Sequence, residues 1–127
     1  MTKNAIQLIP KHKSDSETVK NVIKTGYPAV KPILPELMKW TQDSNWPIFH
    51  SLAPFLSSLG IEIVPEIRRV LATDDYEWKW SVLYGIIAPS REIAISVKDE
   101  LINLSKNTKD EAGLRELAQE ILDSLGK

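Results

Sequence analysis

The chain has 127 residues, 43% of them hydrophobic and 26% charged, with a formal net charge of -1. That length and balance suit one domain able to bury its own core, and they argue against a disordered chain or a dedicated polyanion binder. The absence of cysteine excludes disulfides, thiolate zinc sites and a cysteine nucleophile.

The amino-terminal stretch Met1 to Lys13 lacks the apolar core of a secretory signal, and Ile6, Leu8 and Ile9 before Pro10 read as an extended arm laid on the body. Ser14 and Glu17 have capping-box spacing, which opens a helix bearing Val19, Val22 and Ile23 and closed by Gly26 before Pro28. Pro32 and Pro35 suit the start of a second helix, since first-turn amides have no intrahelical acceptor. Behind them Ile33, Leu34, Leu37, Met38 and Trp40 keep helical spacing as far as Thr41.

A polar turn, Gln42 to Asn45, follows. Pro47 then fits the first turn of a third helix with Ile48, Phe49, Leu52, Ala53, Phe55, Leu56 and Leu59 inward. Pro54 inside it removes a hydrogen bond, at a cost of about 3 kcal/mol in an isolated helix, and predicts a kink. After Gly60, a fourth helix turns Ile63, Val64, Ile67, Val70 and Leu71 inward until Thr73 and Asp74 break it.

Asp74 to Pro89 is the stretch around which the chain is organised. Asp74 and Glu77 have capping spacing, and Trp78, Val82 and Ile86 share one side while Trp80, Leu83, Tyr84 and Ile87 cover much of the rest. A helix apolar nearly all round must be covered by neighbours, so this fifth helix is predicted to be central. Ser90 caps a sixth, with Ile93, Val97, Leu101 and Leu104 on one stripe, widened by Ile95 and Ile102. Thr108 and Glu111 form another box, and Leu114, Leu117, Ala118, Ile121, Leu122 and Leu125 mark a seventh helix ended by Gly126. No segment alternates as a strand would, so the fold class is all-α with about seven helices. No run reaches the roughly 18 apolar residues of a membrane span. The reading is a soluble, cytoplasmic protein without a membrane partner.

Two stretches match. Leu34-Pro35-Glu36-Leu37 corresponds to Val64-Pro65-Glu66-Ile67, each opening a helix that ends in an acidic turn before Trp46 or Trp78, an offset of about 30 to 32 residues. A proline in the first helix and an acid in the turn resemble HEAT-type helical hairpins. The combination of Asn45-Trp46-Pro47, Leu52-Ala53-Pro54-Phe55-Leu56 and Asp74-Asp75 before Trp78-Lys79 is similar to a small family of bacterial single-domain proteins of unknown function, from Leu8 to the last helix. The resemblance implies stacked antiparallel hairpins in a single HEAT-like domain and transfers no activity.

Chemistry-bearing constellations are sparse. His12 and His50 have no second nitrogen or thiolate ligand at helical spacing, the neighbours His50 and Ser51 are not a nucleophile and base pair, and the five glycines form no phosphate-binding loop. No metal, cofactor or catalytic residue is assigned, and the chain reads as non-enzymatic. A more specific expectation concerns the turns: stacked hairpins place Asp43, Asn45, Trp46, Asp74, Asp75, Glu77 and Trp78 on one acidic, aromatic edge suited to a protein partner. The competing reading makes those acids helix caps and both tryptophans gap fillers. A narrower version is an immunity or antitoxin-like protein. Two alternatives stay open: a ligand pocket or active site between the third and fifth helices near His50 and Trp78, and nucleic-acid binding through Arg68, Arg69, Lys79 and Arg91, a strip interrupted by Glu62, Glu66 and Glu77.

Overall fold

The computed structural model describes residues 3–107 and 113–126, and the described residues are helical with no strand. Among the described residues there are nine α-helices: α1 (Lys3–Gln7), α2 (Ser16–Thr25), α3 (Leu34–Lys39), α4 (Phe49–Ser57), α5 (Val64–Leu71), α6 (Tyr76–Val82), α7 (Arg91–Ser96), α8 (Lys98–Asn107) and α9 (Leu114–Leu125). Two more than the seven predicted arise at identifiable places. The amino-terminal arm is not extended: α1 forms there, with Ala5 and Pro10 buried and Ile6 exposed. The sixth predicted helix divides at Val97, whose backbone leaves helical geometry (φ -108°, ψ 24°) although its side chain stays in the buried stripe with Ile93, Leu101 and Leu104.

The matched stretches fold alike. Lys31–Ile33 and Gly60–Ile63 are 3-10 turns that run straight into α3 and α5, each with its proline in the first helical turn. Each helix also ends alike, because the hydroxyls of Thr41 and Thr73 donate to carbonyls three residues back, those of Met38 and Val70. Gly60 supports the second turn with φ +62°, a backbone region that costs glycine nothing.

Packing follows a neighbour-to-neighbour order. In one layer α2 packs on α4, α4 on the segment following α6, and that segment with α6 on α9; in the other, α3 packs on α5, and α7 on the 3-10 turn before α5. The ties between distant side chains obey the same rule. Tyr27 donates to Glu62, Ser57 to the Ile86 carbonyl, Arg68 to Glu100, Trp78 to Thr41 and Arg91 to the Leu125 carbonyl, at separations of 35, 29, 32, 37 and 34 residues. The bonds of Ser57, Arg68 and Trp78 each join one helical pair to the next, whereas that of Arg91 lies within the last pair, between α7 and α9.

The core between the layers is continuous, from Val19 and Val22 through Leu37, Met38, Leu52, Leu56, Ile67, Leu83 and Ile86 to Leu101, Leu114 and Ile121. Helix α4 runs through Pro54, whose ring is exposed while Phe49, Leu52, Ala53 and Leu56 are buried. Pro47 precedes α4 and its N-cap Ile48 instead of lying in the first turn. The predicted central helix is α-helical only to Val82; Leu83–Ile87 forms a π turn, in which the Ala88 amide reaches back to the Leu83 carbonyl. Gly85 sits in that turn because a Cβ there would lie 2.5 Å from Phe49 Cζ and 3.1 Å from Ala53 Cβ. Ser57, buried on α4, gives its hydroxyl to the Ile86 carbonyl at 2.8 Å and fastens the turn.

Cover over this stretch is incomplete. Val82, Leu83, Ile86 and Ile87 are buried, Trp78 and Trp80 are half-buried, and Tyr84 is 51% exposed. Ile23 and Ile95, also predicted inward, are exposed. Two caps shift by one residue: Asp15 caps α2 in place of Ser14, and Asp75 caps α6 in place of Asp74, each accepting the amide three residues on. Ser90 caps α7 as predicted, accepting the Ile93 amide at 3.2 Å. The Thr108 and Glu111 box lies outside the described residues.

Candidate functional site

The two acidic turns meet through a single polar bond. Thr41, buried at the end of α3, accepts the indole N–H of Trp78 from α6 at 3.0 Å. That bond ties α6 to the residue preceding the 42–45 turn, and two clefts lie nearby.

The turn Gln42 to Asn45 faces Glu77, Trp80 and Ser81 across one cleft of about 210 Å³. Local hydrogen bonds hold the turn: Asp43 Oδ1 accepts the Asn45 amide at 2.8 Å, and the Gln42 side-chain nitrogen donates to the Lys39 carbonyl at 2.9 Å. Glu77, Trp80 and Ser81 share one face because they are three and four residues apart on a helix. The Trp80 ring is stacked on Tyr84, centroids 4.9 Å apart and planes at 16°. A second, more apolar cleft of about 210 Å³ is lined by Pro35, Met38, Val70 and Trp78 together with Lys39, Glu66, Arg69 and Thr73.

The sequence-predicted edge residues therefore separate. Asp43, Asn45 and Glu77 line the first cleft, and Trp78 lines the second. Asp75 Oδ1 accepts the Trp78 amide at 3.0 Å and caps α6, so the capping reading holds for this residue. Asp74 is exposed and, like Glu77, makes no hydrogen bond or ion pair among the described residues. Trp46 packs on Trp40 at 5.6 Å between centroids. Trp80 and Ser81 were missed as edge residues: both were absorbed into an apolar-all-round helix, although their spacing from Glu77 would have placed them beside it.

Elsewhere the alternatives find different surroundings. His50 is exposed, edge-on to Phe49, and lines neither cleft. The cations of the alternative basic strip each have their own partner. Arg68 binds Glu100 and the Ser96 carbonyl, Arg69 lies 4.0 Å from Glu66, and Arg91 donates to the Leu125 carbonyl. Lys79 is buried along its stem with its ammonium 5.2 Å from the centre of the Tyr76 ring. Among the described residues no group of three or more His, Asp or Glu is placed to hold a metal ion, and no helix is long and apolar enough to cross a membrane.

Among the described residues, Asp15 is the one carboxylate moved well below its ordinary range. The Thr18 hydroxyl, the Lys11 amide and the Thr18 amide all donate to it, and its pKa falls from 3.8 to about 2. At the other extreme, donation to Glu62 raises the Tyr27 hydroxyl above its ordinary 10.0.

No curated protein matches this chain. A family model described as a domain of unknown function (DUF5071) matches residues 8–124, which is nearly the whole helical body, and the chain belongs to that family.

Proposed function

We propose that this protein is a cytoplasmic, non-enzymatic recognition module with HEAT-like stacking, which binds a basic protein partner along the edge formed by the 42–45 turn and the start of α6. The observation that carries this reading is the shared cleft, where two turns distant in sequence place Asp43, Asn45 and Glu77 around one opening. Asp74, just before α6, adds a carboxylate with no partner among the described residues. Unpaired carboxylates beside half-buried indoles suit electrostatic steering followed by aromatic anchoring. The bonds of Ser57, Arg68 and Trp78, each reaching from one helical pair to the adjoining one, support HEAT-like stacking. Small size and an acidic edge also suit the narrower reading of an immunity or antitoxin-like protein that covers a basic surface.

The test is affinity capture with the full chain and with a variant carrying Asp43→Asn, Asp74→Asn, Asp75→Asn and Glu77→Gln. Amides keep the acceptor oxygens that close the turn and cap α6, so the helical circular dichroism should be unchanged. Loss of a partner that the parent chain retains at low salt supports the edge. Equal recovery of that partner by both proteins overturns it.

A further inference from the structure

We infer that the cleft between the 42–45 turn and α6 is a subsite for a guanidinium group, the side chain of an arginine presented by the partner; this rests on the reading of the edge given above and specifies its ligand.

Four features of the cleft select that chemistry. First, it is rich in acceptors. Among the described residues Asp43 uses only Oδ1, on the Asn45 amide, the Glu77 carboxylate has no partner, and Gln42 spends its side-chain nitrogen on the Lys39 carbonyl, which leaves the amide oxygen free. Second, Ser81 is only 2% exposed and its hydroxyl has no partner among the described residues. Fully buried side-chain polar atoms there all have partners, so this oxygen must reach accessible space, and the space it borders is the cleft. Third, Trp80 forms part of the wall, its ring stacked on Tyr84 and its indole nitrogen beside Gly113. A planar cation gains from such a ring as well as from carboxylates. Fourth, among the described residues none of the lining side chains is cationic, so two carboxylates face the opening without a described counter-charge. Arginine brings five donors and a permanent charge to this set of acceptors, whereas lysine brings three donors and no plane.

The probes are Nα-acetyl-arginine methylamide, its lysine counterpart and its neutral isostere citrulline, titrated into the full chain. The readout is the Trp80 indole N–H resonance, identified by its disappearance in Trp80→Phe. The expected result is a saturable shift with arginine, weaker binding of lysine and no saturable shift with citrulline. Glu77→Gln should weaken arginine binding about tenfold, the loss of one charge-assisted hydrogen bond. Ser81→Ala should weaken it less. A citrulline response equal to that of arginine, or an arginine titration unchanged in Glu77→Gln, overturns the proposal. The two readings fail separately. If the arginine probe does not bind while the acidic-edge variant still loses its protein partner, the subsite falls and the module stands. If the probe binds as described while partner capture is unaffected, the module falls and the subsite stands.

Discussion

The indole N–H of Trp78 donates to the Thr41 hydroxyl at 3.0 Å, and that hydroxyl donates in turn to the Met38 carbonyl at 2.6 Å. Two consecutive helical pairs are thus joined by one buried oxygen that is acceptor and donor at once. Thr41→Val keeps the shape of the side chain but leaves the indole N–H and the Met38 carbonyl without this partner. The expected loss is about 1–3 kcal/mol of stability, read from urea unfolding. Thr41→Ser should retain most of it, and an equal loss in both variants would point to packing instead.

Gly85 meets a steric limit. A methyl group there would approach Phe49 Cζ to 2.5 Å and Ala53 Cβ to 3.1 Å, so Gly85→Ala must displace a buried ring. Overpacking of this kind costs about 1–3 kcal/mol. Adding Phe49→Leu should recover part of the loss, giving a non-additive double-mutant cycle. Strict additivity would show that the two side chains do not compete for that space.

Ser57 is expected to matter more than a serine late in a helix usually does. Its hydroxyl serves the Ile86 carbonyl at 2.8 Å, inside the π turn, where regular α-helical pairing is lost. Ser57→Ala should cost about 1–3 kcal/mol because a buried acceptor is left unsatisfied. Faster amide exchange at Ala88 and Ser90, whose amides close the end of this segment, would locate the effect.

Acid should release α2 through Asp15. Its folded pKa, about 2, lies below the ordinary 3.8, so its contribution is fully present above 3.8 and is lost as pH falls through about 2. Asp15→Ala removes the cap at a cost of about 0.5–2 kcal/mol near neutral pH. Urea titrations at pH 6 and near pH 2 should show the parent and the variant converging in acid. A difference that persists at the lower pH would assign the effect to packing and not to charge.

Much of this architecture was visible in residue spacing, and the misses have local physical causes. The proline-led starts at Pro35 and Pro65 were legible because the same tetrapeptide pattern recurs. Cap positions slipped because neighbouring residues offered equivalent chemistry. Asp15 displaced Ser14 by accepting from both the amide and the hydroxyl of Thr18. The break at Val97 was hidden, since Ile93, Val97 and Leu101 keep helical spacing across it and no proline or glycine marks it. The π turn was hidden for a related reason: its causes are the closeness of Phe49 and Ala53 to Gly85 and the Ser57 bond, both long-range. At the cleft, Asp43, Asn45 and Glu77 were found from charge and turn chemistry. Trp80 and Ser81 were not, because a tryptophan among isoleucines and valines reads as core until a stacked, exposed Tyr84 shows which side faces water.

Ties that span roughly one unit also set how the chain can fold. Closing a loop of some 30 residues costs little more entropy than closing one half as long, and contact order stays low when partners are near in sequence. A nucleus can form in any adjoining pair of helices and grow outward by docking the next, without waiting for the chain ends to meet. The penalty falls at the margins: α1 is the most weakly held of the described helices, packed chiefly on the 3-10 turn before α3, so thermal fraying should begin there and travel inward.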